Sequence, residues 1–303
     1  MVTFEEFSYK NLGKCIKMTD GKSEIVVSLD VGPRVIKYAV VGGENVFGEL
    51  EVDFKKPTQN GFEVFGDLGV WNNFGGHRLW VSPEDRIRTK FPDNHPCEYE
   101  IRENSLYVKQ MKQPYADVLC EMEFSFDENG DIVVKHFVTN TASYEQEIAP
   151  WAISVMGKSG TLILPMRSED KGVLPNRNFS FWTYSNLSDE RFCMKEKYVT
   201  LTQKPDAQKA FKFGMGKGEG VAVYAINSYA FIKFFDHDEN AKYPDMGCSF
   251  EAYTDKNILE VESLSPLTVL KSGERAEHTE RWRIKEVLWD KNPESLFEGG
   301  ILK

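Results

Sequence analysis

Apolar residues recur along this chain in short alternating or continuous runs, the spacing of half-buried and fully buried strands, with turn residues between them. Residues 23–30 and 34–41 lie on either side of Gly32-Pro33, and Gly42-Gly43-Glu44-Asn45 closes the next turn. Residues 99–102 and 106–110 flank Glu103-Asn104-Ser105, 221–226 and 229–235 flank Asn227-Ser228, and 248–254 and 258–264 flank Asp255-Lys256-Asn257. The strongest hairpin signal is Asn129-Gly130, between runs 119–126 and 132–139. A tight two-residue turn needs positive φ at its centre, and Asn-Gly accepts that most readily. A closing strand is expected near 276–285, and helical periodicity is confined to 188–192 and 292–297.

The pattern predicts an all-β chain. No Pro-, Gly- or Ser-rich linker and no fixed-period repeat divides it. Residues 1–303 therefore read as one large antiparallel β-sandwich domain with a short helical tail near 290–303. The connections 50–72 and 167–180 exceed ordinary loop lengths, and long loops at one end of a sandwich are where a binding cleft is built.

Composition narrows the function classes. Of 303 residues, 41% are hydrophobic and 28% charged, ordinary for a globular chain with a sizeable core. Acids outnumber bases 47 to 37, and the formal net charge of -10 repels phosphate backbones, so nucleic acid is not an expected partner. No apolar run approaches the ~20 residues of a membrane-spanning helix. The acidic start Met1-Val2-Thr3-Phe4-Glu5-Glu6 lacks the apolar core of a secretory signal. Cys15, Cys97, Cys120, Cys193 and Cys248 are odd in number and never at a Cys-x-x-Cys spacing. That argues against a disulfide framework or a zinc site and for a reducing, cytoplasmic setting.

The candidate chemistry concentrates in Asn73-Phe74-Gly75-Gly76-His77-Arg78-Leu79-Trp80, continued by Ser82-Pro83-Glu84. Paired glycines let the backbone take positive φ or approach a ligand closely. The groups that follow suit a sugar: an indole stacks on the C–H face of a pyranose, a guanidinium donates to hydroxyl oxygens, and an imidazole moves protons near neutrality. The competing reading is a glycine-hinged turn with Trp80 buried and Arg78 a surface cation.

The order of motifs resembles the galactose mutarotase-like proteins, the aldose 1-epimerase superfamily, and within it a branch carrying a GGHRLW-type motif. The matching pieces are Val31-Gly32-Pro33-Arg34-Val35, GGHRLW at 75–80, Thr139-Asn140-Thr141, Pro150-Trp151-Ala152, Leu174-Pro175-Asn176-Arg177, Tyr243-Pro244-Asp245-Met246-Gly247 and LEVESLSPL at 259–267. The resemblance implies a β-supersandwich with an open cleft for a mono- or oligosaccharide, and no cofactor or metal. It also implies a base and an acid that open and reclose a pyranose ring at the anomeric carbon.

The family's base falls at Glu262, with Glu260 its nearest rival. Strand alternation puts these two carboxylates on one face about 7 Å apart, where like charges raise one pKa. Where characterised members carry an acid histidine, this chain has Trp151, which serves as a stacking surface or as core. His77 is then the replacement acid, ahead of His237, with Arg34, Arg78, Trp80, Trp151 and Asp245 as substrate binders. His136 reads as a packed strand residue, and His95 and His278 as solvent-facing. Asp236-His237-Asp238-Glu239 reads as a solvated turn, since consecutive turn residues cannot all converge on one ion. Two functions stay open, an epimerase acting on sugar anomers and a non-catalytic carbohydrate-recognition domain that has lost the usual histidine. The oligomeric state is not legible.

Overall fold

The structure, a computed structural model, describes residues 1–51, 71–85, 89–114 and 117–302. The expected period-two alternation is realised on two antiparallel sheets, of eleven and ten strands among the described residues. The larger runs in the spatial order Thr3–Ser8, Lys14–Thr19, Ser23–Ser28, Arg34–Val40, Gly76–Ser82, Gln146–Met156, Leu259–Leu264, Phe250–Thr254, Phe211–Gly216, Asn178–Phe181. A short strand, Thr268–Leu270, pairs with the beginning of Gln146–Met156. The smaller sheet runs Phe192–Met194, Tyr198–Thr202, Thr161–Pro165, Val221–Ile226, Tyr229–Phe235, Arg275–Glu286, Ile132–Asn140, Val118–Phe126, Ser105–Lys109, Glu98–Arg102.

The core lies between the sheets. Val27, Val35, Leu79 and Val81 from the larger sheet meet Phe124, Val134, Phe231 and Trp282 from the smaller. Aromatic rings bridge the gap, with Tyr38 6.0 Å from Trp282 and Phe47 5.4 Å from Phe231 between centroids. Each such side chain contributes about 1.5–3 kcal/mol by leaving water. Cys120 packs here as a small hydrophobe.

The Asn129-Gly130 hairpin forms as expected, joining Val118–Phe126 to Ile132–Asn140, with Gly130 at φ 84. The tail helix Pro293–Glu298 is capped by Asn292, whose side chain accepts from the Glu294 amide at 3.1 Å. Leu296 and Ile301 bury against Val223 and Ile232 on the outer face of the smaller sheet. The expected helix at 188–192 is absent and a turn leads into the strand Phe192–Met194. Here Asp189 accepts from both the backbone amide and the guanidinium of Arg191 at 3.0 Å, a local bond that competes with helix formation. The expected loop at 50–72 lies almost wholly outside the described residues. Among the described residues no helix is long and apolar enough to cross a membrane.

Candidate functional site

Five adjacent strands of the larger sheet build the site by alternation. His77, Leu79, Ser154, Val261, Ala252 and Phe213 point toward the smaller sheet. Their neighbours Arg78, Trp80, Trp151, Glu260, Glu262, Glu251, Tyr253 and Lys212 take the opposite face. Register brings them side by side: Trp80 opposes Trp151, Ile153 lies between Arg78 and Glu262, and Glu251 opposes Glu262. Trp71, Arg78, Trp80, Trp151, Tyr253 and Glu260 are among the residues lining a cavity of about 610 Å³.

The glycine pair serves this arrangement through the backbone. Gly75 and Gly76 sit at φ 80 and 65, and a Cβ on either would lie 2.0 Å from the Gly48 carbonyl oxygen or 2.2 Å from that of Val35. No other residue lets the strand pass so close to these neighbours. The glycines are structural, and the side chains they deliver, Arg78 and Trp80, reach the cavity.

Three indoles form one wall. Trp71 and Trp80 are 5.2 Å apart and Trp80 and Trp151 5.6 Å apart between centroids, tilted or edge-to-face. Arg78 lies over Trp80 at 4.2 Å and donates from Nη2 to Glu260 Oε1 at 2.9 Å. Among the described residues its Nε and Nη1 have no hydrogen-bond partner. The expected surface cation is thus buried, 2% exposed, and aimed by its ion pair.

Behind this wall lies a charged triad that motif reading missed. Lys212 Nζ sits 2.6 Å from Glu251 Oε2 and 3.3 Å from Glu262 Oε2, and Trp151 Nε1 donates to Glu262 Oε2 at 2.8 Å. Burial pushes the Glu262 carboxyl up, Lys212 opposes that, and Glu260 adds to it. Burial lifts Glu251 well above the ordinary carboxylate range against the pull of Lys212. Burial disfavours the Lys212 charge, but the two carboxylates outweigh it and hold the ammonium above its ordinary value. The local signal was Phe211-Lys212-Phe213, a lysine alternating with two core aromatics. Its partners are named only by cross-strand register.

The two carboxylates expected on one face are there, but their roles divide. Glu260 lines the cavity, whereas Glu262 is fully buried behind Trp151 and Lys212. Trp151 meets both readings, 3% exposed yet lining the cavity. Asp245 lines a second, adjoining cavity, with Ser180 Oγ donating to its backbone oxygen at 3.0 Å.

Three expectations are corrected. His77 does not share the cleft with Glu262; it faces the sandwich interior, fully buried. His136 Nδ1 donates to the His278 carbonyl at 2.9 Å, so its Nε2 accepts from His77 Nε2–H at 2.7 Å. His77 Nδ1 then accepts from the Ser154 hydroxyl at 2.9 Å. Burial, then the nearby His136 and Lys233, holds the His77 pKa well below its ordinary value. Its proton is committed inside the core. His278, expected in solvent, is buried and bonded to Ser263 Oγ at 2.6 Å. Arg34 is the third correction: fully buried, it pairs with Asp93 and stacks 4.7 Å over Phe74 rather than lining the cleft.

Among the described residues one cluster has the donors for a metal: His77, His136 and Glu280 bring ligand atoms within 4.8 Å of one another. The hydrogen bonds above already engage both imidazoles. Lys233 Nζ lies 2.8 Å from Glu280 Oε1 and Trp282 Nε1 donates to Glu280 Oε2 at 2.7 Å. A cation there would displace a fixed ammonium.

Several solved structures share the architecture. A galactose mutarotase-like protein from Clostridium acetobutylicum superposes with a TM-score of 0.55 at 12% identity, over 94% of this chain and 99% of the other. A Klebsiella pneumoniae protein provisionally assigned as an aldose 1-epimerase gives 0.60 at 12% identity, over 94% and 84%. A TPR-domain containing protein from Parabacteroides distasonis gives 0.61 at 12% identity, and the chain spans 56% of its length. The fold is that of the galactose mutarotase-like proteins. At such identity the likeness carries the fold and leaves activity to the site's own chemistry. No family model and no curated protein matches the chain in sequence.

Proposed function

We propose that this chain binds a carbohydrate on the face of the larger sheet turned away from the smaller one. The observation that carries this reading is the wall of Trp71, Trp80 and Trp151 beside the Arg78–Glu260 pair, around one cavity of about 610 Å³. Indole faces take the apolar side of a pyranose. The Nε and Nη1 of Arg78, unpartnered among the described residues, donate to hydroxyl oxygens, and Glu260 accepts from hydroxyl hydrogens. Calorimetric titration with a panel of mono- and oligosaccharides tests the reading. Saturable binding that weakens about tenfold or more in Trp80→Ala is expected; no saturable heat from any sugar overturns it.

A second reading, interconversion of sugar anomers, is favoured by the cavity-facing carboxylate of Glu260. The base role then belongs to Glu260 rather than to the enclosed Glu262. No histidine lines the cavity among the described residues, and the hydroxyl groups there that can serve as the acid are those of Tyr184 and Tyr253. Burial pushes the Tyr184 phenol up to about 12, so it keeps its proton at neutral pH. Polarimetry on freshly dissolved α-aldoses separates the readings. Acceleration lost in Glu260→Gln supports the epimerase, and binding without acceleration leaves the recognition domain.

A further inference from the structure

We infer that the cleft takes an uncharged carbohydrate of at least two pyranose rings, one on either side of a partition formed by Trp151 and Lys212. This rests on the carbohydrate reading above. Beside the cavity of about 610 Å³ lies a second of about 550 Å³, and both touch Glu84, Lys90, Trp151 and Lys212. Each falls within the ~300–1,000 Å³ of ordinary ligand pockets. The two adjoin through these four shared residues, and Pro83, Trp182 and Asp245 line the second alone.

The second compartment repeats the chemistry of the first. Trp182 supplies an indole and Asp245 a carboxylate. Lys212 Nζ lies 4.6 Å from the Trp151 ring and 4.5 Å from the Trp182 ring, so the partition is a cation held between two indoles. Trp182 is fixed in place by its own turn. The Ser185 amide donates to the Trp182 carbonyl at 2.9 Å, while Ser185 Oγ donates to the Lys212 carbonyl at 2.6 Å and accepts from the Lys212 amide at 2.8 Å. Asp245 and Met246 both hold positive φ, 51 and 66, a conformation that costs about 1–2 kcal/mol per non-glycine residue. Strain of this kind persists where surrounding contacts over-determine it.

The absence of charge in the ligand follows from pairing. Arg78 is held by Glu260 at 2.9 Å, Lys90 has Glu84 at 3.5 Å, and Lys212 has Glu251 at 2.6 Å. Among the described residues, each cation lining the two cavities already meets a carboxylate, which leaves no concentrated field for a phosphate or a uronate.

The test is calorimetry on the full chain with neutral gluco-, galacto- and manno-oligosaccharides of one to four rings. Affinity is expected to rise about tenfold from one ring to two in the series that fits, a gain of ~1.4 kcal/mol. In Trp182→Ala and Asp245→Asn the ratio of two-ring to one-ring affinity falls toward one. Single rings that bind as tightly as longer chains, or variants that keep the wild-type ratio, overturn the two-ring inference alone. Tighter binding of phosphorylated or uronic sugars overturns the charge assignment. Silence from every sugar overturns the carbohydrate reading and this inference with it.

Discussion

Replacing Lys212 by Met keeps most of the aliphatic stem between Trp151 and Trp182 and removes the charge. Glu251 and Glu262, both fully buried, then lose the ammonium 2.6 and 3.3 Å away. Removing one partner of a buried ionic group costs about 3–5 kcal/mol, because the remaining charge is left uncompensated. Against a total stability of about 5–15 kcal/mol, that is a large share. The sign of the pH dependence follows from the raised carboxyl pKa values. A carboxyl raised in the folded state binds its proton there more tightly than in the unfolded chain. Its stabilising contribution is full below the unfolded value of about 4.3 and is lost as pH rises through the folded value. Lys212 restrains both carboxyls, so its removal lifts them further. The deficit of Lys212→Met therefore grows with pH, by up to about 1.4 kcal/mol per pH unit for each proton involved. Urea unfolding followed by tryptophan fluorescence, from about pH 5 to about pH 8, measures it. The double variant Lys212→Met/Glu251→Gln, which removes one of the stranded charges, is expected to recover much of the loss. A deficit below about 1 kcal/mol, or one that does not change with pH, refutes the reasoning.

His77→Phe removes a partner from both Ser154 and His136 inside the core, and a loss of about 2–4 kcal/mol is expected in denaturant unfolding, with sugar affinity per folded molecule unchanged. Arg34→Met strands Asp93, which is 7% exposed, and is expected to cost about 3–5 kcal/mol by the same assay. Gly76→Ala drives a Cβ into the Val35 carbonyl at 2.2 Å, whereas Gly21, also at positive φ, has nothing within 4 Å. Thermal melts should show Gly76→Ala losing clearly more than Gly21→Ala, whose cost is the backbone term of about 1–2 kcal/mol alone.

The hairpins were legible because their turns are local: Asn129-Gly130 and Asn227-Ser228 mark their own ends. Gln146–Met156 carries no strand signature, since it is buried along nearly its whole length and shows no alternation. Gly76–Ser82 carries no strand pattern for the related reason that charged and aromatic residues are buried on both of its faces. Alternation along that strand separates His77 from Arg78, and this decides their roles. Residue types alone favoured an acid at His77; only its placement in a sheet turns it inward. Lys212 and Glu251 escaped notice because their meaning lies in the register between Phe211–Gly216, Phe250–Thr254 and Leu259–Leu264. The pairing of Glu260 and Glu262 on one face was available from spacing, but which of them meets the cavity depends on the indole laid over Glu262 from the neighbouring strand.

A crystal structure of the chain soaked with the tightest-binding neutral sugar tests the central claim most directly. The account predicts a pyranose ring against Trp80 or Trp151, with hydroxyls on Arg78 Nε or Nη1 and on Glu260. A sugar seated elsewhere on the molecule, with the three indoles uncovered, would contradict it.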